Sequence, residues 1–128
     1  MKILCGTDII EINRVKDSIK QVGDRFLQKV YTKNEIEYCE SKKVQKYQHY
    51  AARFAAKEAT FKAISGLISK YDTSWNDIEV LNDENGRPYL NLLGKAKGKI
   101  IPKINSIDIT ISHCKEYAVA NVVILLND

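Results

Sequence analysis

The 128-residue sequence has little proline (two) and little glycine (six), and neither is clustered. That scarcity excludes collagen-like repeats and Pro/Gly-rich disordered segments. Its longest apolar run, Ala118–Leu126, is interrupted by Asn121 and falls well short of the ~20 residues a membrane helix needs. The N-terminus, MKILCGTD, reaches an acid at Asp8, too early for a secretory signal, so the expectation is a cytoplasmic chain with no membrane span. Cysteines number three. Cys5, Cys39 and Cys114 are far apart, none forms a Cys-x-x-Cys pair, and neither His49 nor His113 stands at zinc-ligand spacing from them. A disulfide scaffold is thereby excluded, and reduced structural thiols are expected.

What is present is ordinary globular material: 45% apolar and 28% charged residues, in a length that suits a single domain over residues 1–128. The net charge of +4 is unevenly spread. Residues 13–33 hold Arg14, Lys16, Lys20, Arg25, Lys29 and Lys33 against Asp17 and Asp24. Residues 95–103 hold Lys95, Lys97, Lys99 and Lys103 with no acid. Two basic segments suit one or two anionic partners, although most charge runs are simply solvated faces.

Local patterns give the elements. Met1–Ile10 alternates as a strand, with Ile3, Cys5, Thr7 and Ile9 on one face and Leu4, Gly6, Asp8 and Ile10 on the other. Asn13 suits the N-cap of a helix ending at Gly23, and Asp24 the start of a short helix through Val30. Thr32 and Glu35 form a capping box for a helix to about Lys42. Val44–Ser69 reads as one long alanine-rich helix. Ile78–Leu81 and Pro88–Leu92 are short strands around an Asn85-Gly86 turn, and Lys95–Ile101 is a short helix stopped by Pro102. Ile107, Ile109 and Ile111 alternate with polar residues, and Tyr117–Leu126 is the strand after a tight turn at Cys114–Glu116. Strands and helices without a βαβ rhythm indicate an α+β fold, a mainly antiparallel sheet packed with a long central helix.

Three positions carry chemical interest. Glu58 and Lys62 are four residues apart on the long helix, which an exposed pair worth ~0.3–0.5 kcal/mol would explain. At 100° per residue, however, they share a side with Ala51, Phe54, Ala55 and Phe61 rather than with Arg53, Lys57 and Thr60. A charged pair in an apolar stripe needs a partner. Asp8 is a turn acid or a metal carboxylate; Mg²⁺ is typically held by one or two carboxylates, waters and substrate phosphates. Spacing cannot show that Asp8 and Glu58 meet. His113, closing the isoleucine-alternating strand, is a structural hydrogen-bonder or a secondary site residue.

Gly6-Thr7-Asp8-Ile9-Ile10-Glu11-Ile12-Asn13-Arg14 resembles the first signature of the holo-acyl-carrier-protein synthase family, and Arg53-Phe54-Ala55-Ala56-Lys57-Glu58-Ala59 with Lys62-Ala63 resembles the second. Trp75–Val80, Gly86-Arg87-Pro88, Ile109–His113 and Tyr117–Ala120 resemble its later blocks, in order and at fitting spacing. The resemblance implies a 4′-phosphopantetheinyl transferase-like fold and Mg²⁺-dependent transfer of 4′-phosphopantetheine from coenzyme A to a serine of an acidic apo acyl carrier protein. Adenosine 3′,5′-bisphosphate is released, and the reaction serves fatty acid biosynthesis. It further implies metal binding by Asp8 and Glu58, phosphate contact by Lys62, and a homotrimer with sites between subunits. Arg14 matches a carrier-docking position; Lys20 and Arg25 join it by location alone.

The chemistry is coherent with that implication. A serine hydroxyl attacking a pyrophosphate needs charge neutralised on phosphate oxygens, which a metal ion and a lysine supply. Glu58 or a water on the metal is the base. Lys57, Lys62, Pro88 and His113 are the expected cofactor-binding residues, and the 95–103 segment is a further candidate for the nucleotide end. The alternative is a nucleic-acid-binding module using both basic segments, which would leave Asp8 and Glu58 without a purpose.

Overall fold

The computed structural model describes residues 2–128; Met1, where the first strand was expected to start, lies outside the described residues. Strands β1 (Ile3–Glu11), β4 (Ile104–His113) and β5 (Tyr117–Leu126) form an antiparallel sheet in the order β1-β5-β4, and β2 (Ile78–Asn82) and β3 (Pro88–Leu92) form a separate antiparallel pair. The helices are α1 (Ile12–Val22), α2 (Asp24–Val30), α3 (Lys33–Glu40), α4 (Lys46–Ile64) and α5 (Gly94–Ile100). The α+β expectation, antiparallel strands with one long helix across them, holds.

The period-two alternation of β1 separates two faces, and the structure decides which is inward. Leu4, Gly6, Asp8 and Ile10 face α4, while Ile3, Cys5, Thr7 and Ile9 face outward. Ala55, Ala56, Ala59 and Ala63 of α4 pack with Val122 and Ile124 of β5 and Ile109 of β4 in the main core. Small side chains let helix and sheet approach closely. On its other side α4 meets α1–α3, where Tyr31, Cys39, Tyr50 and Ala51 form a second cluster with Ile12 and Val15.

Several local expectations are corrected. Helix α1 begins at Ile12 with Glu11 as its cap, so Asn13 lies inside the first turn; Ile12 is drawn in because its side chain is core. Helix α4 is shorter than 44–69: Lys43–Gln45 is a 3-10 turn, and past Ile64 the amides of Leu67 and Ile68 turn back to the Ile64 carbonyl. Arg53, Lys57 and Thr60, on a different side of α4 from Glu58 and Lys62, are buried as well: Arg53 reaches Asn82 of β2, and Lys57 reaches Glu35 of α3 and the Ile78 carbonyl, so α3 and β2 cover that side. Thr32 and Glu35 do form the capping box of α3. All three cysteines are free, but only Cys39 is a buried structural thiol, its pKa pushed up to about 12 chiefly by burial; Cys5 and Cys114 are exposed.

Candidate active site

The close crossing of β1 and α4 builds the site. Asp8 lies two residues beyond Gly6 on the same strand face, and Glu58 and Lys62 sit within one turn of Ala59 on the helix. Lys62 Nζ donates to the Thr7 carbonyl at 2.9 Å and to Asp8 Oδ1 at 3.2 Å. The lysine side chain is 56% exposed and that of Asp8 17% exposed, so the pair opens to solvent. Asp8 and Glu58, whose meeting sequence spacing left open, border one cavity of about 350 Å³ together with Arg14 and Phe54. On the other side of the helix ridge, Glu58 and Lys62 border a larger cavity of about 640 Å³ with Ser65, Ser69 and Thr73.

Aromatic residues wall the site, and the sequence reading did not single them out for it. Trp75 stacks on Phe54 at 4.9 Å and takes the edge of Phe61 at 5.3 Å. Trp75 and Phe61 border, with Glu58 and Thr73, a third hollow of about 280 Å³. Trp75 is the only tryptophan in the chain and lies in one of the resembling blocks, a signal that was available.

The donor set fits Mg²⁺. Asp8, Glu11 and Glu58 border one cavity, and the Lys62 ammonium already rests against Asp8 and the Thr7 carbonyl, so the spot is electrostatically suited to a cation. One or two carboxylates with room for waters and phosphate oxygens is what Mg²⁺ usually takes, unlike the fuller cages of Zn²⁺ or Ca²⁺.

Other expected site residues lie elsewhere. Lys57, one residue before Glu58, is turned 100° away around the helix. Its buried ammonium is 2.7 Å from Glu35 Oε1 and donates to the carbonyls of Trp75 at 3.0 Å and Ile78 at 2.6 Å. Burial lowers its pKa from the ordinary lysine value while Glu35 opposes that shift. Lys57 is therefore committed to the core and does not reach the Asp8–Glu58 cavity. Pro88 is half-buried at the start of β3, beside Arg87, which makes a two-pronged contact to Asp108 at 3.0 and 3.1 Å. His113 pairs with Ala118 of β5, which pairs with Ile10 of β1, so it stands two strands from Asp8's strand, ~10 Å across the sheet. Its ring meets that of His49 edge-on at 5.9 Å.

Of the basic residues expected to dock a carrier, only Arg14 borders the carboxylate cavity. Lys20 and Arg25 are exposed on α1 and α2. Lys20 is ~120° around α1 from Arg14, so the two do not share one stripe.

The model of the 4′-phosphopantetheinyl transferase superfamily matches residues 4–122. The chain belongs to that superfamily. A holo-[acyl-carrier-protein] synthase of Ruminiclostridium cellulolyticum is 51% identical, covering 100% of this chain and 96% of that protein. One of Protochlamydia amoebophila is 46% identical, covering 94% and 95%. An ACPS–CoA complex from Chronobacterium ammoniagenes superposes with a TM-score of 0.85 at 27% identity, covering 100% of both chains. A Bacillus anthracis holo-(acyl-carrier-protein) synthase in complex with CoA (3′,5′-ADP) superposes with a TM-score of 0.77 at 35% identity, covering 98% of this chain and 96% of that one. Within the superfamily frame, the strand carboxylate and the helix carboxylate of this transferase both fall inside the matched span.

Proposed function

We propose that this transferase moves 4′-phosphopantetheine from coenzyme A to a serine of an apo acyl carrier protein and releases adenosine 3′,5′-bisphosphate, as a holo-[acyl-carrier-protein] synthase serving fatty acid biosynthesis. The observation that carries the reading is that Asp8 and Glu58, from different elements, face one cavity while Lys62 reaches Asp8 from the neighbouring one. In the reaction the serine oxygen forms a bond to the phosphorus bearing pantetheine, the bond to the bridging oxygen breaks, and the bisphosphate leaves with the electron pair.

Asp8 and Glu58 would hold Mg²⁺. When bound, the ion neutralises charge on the pyrophosphate oxygens as the leaving phosphate separates. Lys62 places an ammonium beside the same phosphates. Glu58 or a water beside it would accept the serine proton. Phe54, Phe61 and Trp75 supply an apolar wall that excludes water from the reacting group. Arg14, at the mouth of the carboxylate cavity, provides a positive contact for an acidic carrier.

Pro88 and His113 lie away from the Asp8–Glu58 cavity of their own chain, which fits a site completed by a second copy. The outer face of the β1-β5 sheet supports assembly. Ile3 and Ile9 are 66% and 64% exposed and Val123 is 48% exposed, and cross-strand pairing sets Ile3 beside Leu125, Cys5 beside Val123 and Ile9 beside Val119. This apolar patch would be covered in a homotrimer.

The direct test is mass spectrometry of apo carrier incubated with coenzyme A and Mg²⁺. The carrier gains one phosphopantetheine, and excess chelator abolishes the gain. Full activity in chelator would remove the metal from the account. Light scattering should give three times the 14.6 kDa chain mass; a fully active monomer would remove the shared site.

A further inference from the structure

We infer that Lys62 is an exchangeable internal counter-cation: it neutralises Asp8 until a divalent cation displaces it, and only then is its ammonium released to the phosphates. The inference rests on the proposed function in taking Asp8 and Glu58 as the metal carboxylates, and it adds an order of events that the proposed function does not require.

Three observations carry it. Lys62 Nζ holds Asp8 Oδ1 at 3.2 Å, with the Thr7 carbonyl as its second acceptor at 2.9 Å, so it occupies one of the carboxylate oxygens open to a cation at this site. A metal ion and an ammonium on the same carboxylate edge would repel at close range, so binding of one opposes the other. Second, the lysine is more than half exposed and sits on a long unbranched stem, so leaving Asp8 breaks no buried contact. Third, it has somewhere to go. The larger cavity is bordered by Lys62 itself and by Glu58, Ser65 and Thr73 among the apolar side chains of Phe61, Ile64 and Ile68. Lys62 already borders that cavity, so an ammonium released from Asp8 stays within the site.

Buried Lys57 shows the contrast. Its ammonium is locked by Glu35 and two carbonyls and has no exposed route out. Of the two lysines in the helix signature, one is a fixed core pair and the other a removable one.

The consequence is a coupling. The lysine's grip on Asp8 weakens metal binding, and metal binding weakens the lysine's grip by the same factor. Phosphate contact by Lys62 is then conditional on the metal being in place, so substrate bound without metal meets a lysine that is already paired.

The test is a Mg²⁺ titration of the folded protein in the absence of coenzyme A, followed by NMR at the Asp8 carboxyl carbon and the Lys62 side-chain carbon next to Nζ. In the wild type both signals should move along one saturation curve. Lys62→Met, checked for an unchanged thermal midpoint, should bind Mg²⁺ ~2–5-fold tighter, the equivalent of losing one exposed ion pair. Asp8 moving while Lys62 stays fixed would overturn the exchange and leave the metal site standing. Tighter binding by Lys62→Met with a fixed wild-type Lys62 would also overturn it, since removal of a nearby charge would then suffice. No saturable change at Asp8 would overturn both the exchange and the metal assignment. Should Lys62→Met fold poorly, the wild-type titration alone decides.

Discussion

A Cβ placed on Gly6 would lie 2.0 Å from the Ala59 carbonyl oxygen and 2.9 Å from the Ala63 amide nitrogen. Strand β1 therefore runs backbone-to-backbone against α4 at that point. Because the obstacle is main chain, it cannot rotate away. Gly6→Ala should force strand and helix apart, costing ~1–3 kcal/mol or more and lowering the thermal midpoint by ~4–12 °C. It should also reduce turnover, since Asp8 and Lys62 face each other across the same crossing. Calorimetry and kcat on one preparation check both; an unchanged midpoint would contradict the contact.

The Glu35–Lys57 pair lies wholly inside the fold, 2.7 Å apart. Both side chains are fully buried, and Glu35 also accepts from the amides of Thr32 and Val80. Lys57→Met leaves a buried carboxylate without its cation and should cost ~3–5 kcal/mol in denaturant unfolding. Adding Glu35→Gln should recover part of the loss, because no unpaired charge then remains. A loss below 1 kcal/mol for the single variant would place the ammonium elsewhere.

Lys62 should behave oppositely. Its exposed pairing predicts that Lys62→Met changes folding stability by less than ~1 kcal/mol. Loss of one charge-assisted contact in the transition state should lower kcat ~10²–10³-fold. Turnover within threefold of wild type would return Lys62 to an ordinary surface pair.

Arg14 is exposed at the edge of the carboxylate cavity. Arg14→Glu should raise the KM for an acidic carrier by ~10-fold while changing the KM for coenzyme A far less, and added salt should weaken carrier binding in the wild type. Lys20→Glu, on another side of α1, should have the smaller effect. Equal effects of the two would indicate long-range charge rather than a docking contact.

His49 supplies a pH dependence. Burial first, then Lys42, Arg53 and His113, lower its pKa below the ordinary histidine value. The unfolded chain takes up a proton below pH ~6.5 while the folded one resists, so stability falls as pH drops from about 6.5 and is flat above it. Thermal midpoints between pH 7.5 and 5.5 should fall less in His49→Gln than in the wild type. Parallel curves would assign the dependence to other groups.

Periodicity and turn chemistry made most elements legible in the sequence. The alternation in β1 sorted its residues into two faces, the Thr32–Glu35 box marked the start of α3, and Asn85-Gly86 marked the turn between β2 and β3, because each of these is decided by neighbours a few residues apart; which face of β1 meets the helix is not. Asp8, Glu58 and Lys62 were also legible, as charged groups in unlikely apolar company within resembling motifs. Their meeting was not, since Asp8 and Lys62 are 54 residues apart and are joined only by the Gly6–Ala59 crossing. Nor was the fate of Lys57. Helical angle only grouped it with Arg53 and Thr60, away from Glu58 and Lys62, and could not say what would cover that side. Packing of α3 and β2 against α4 covered it, and Glu35, arriving from a separate element, made Lys57 half of a core ion pair.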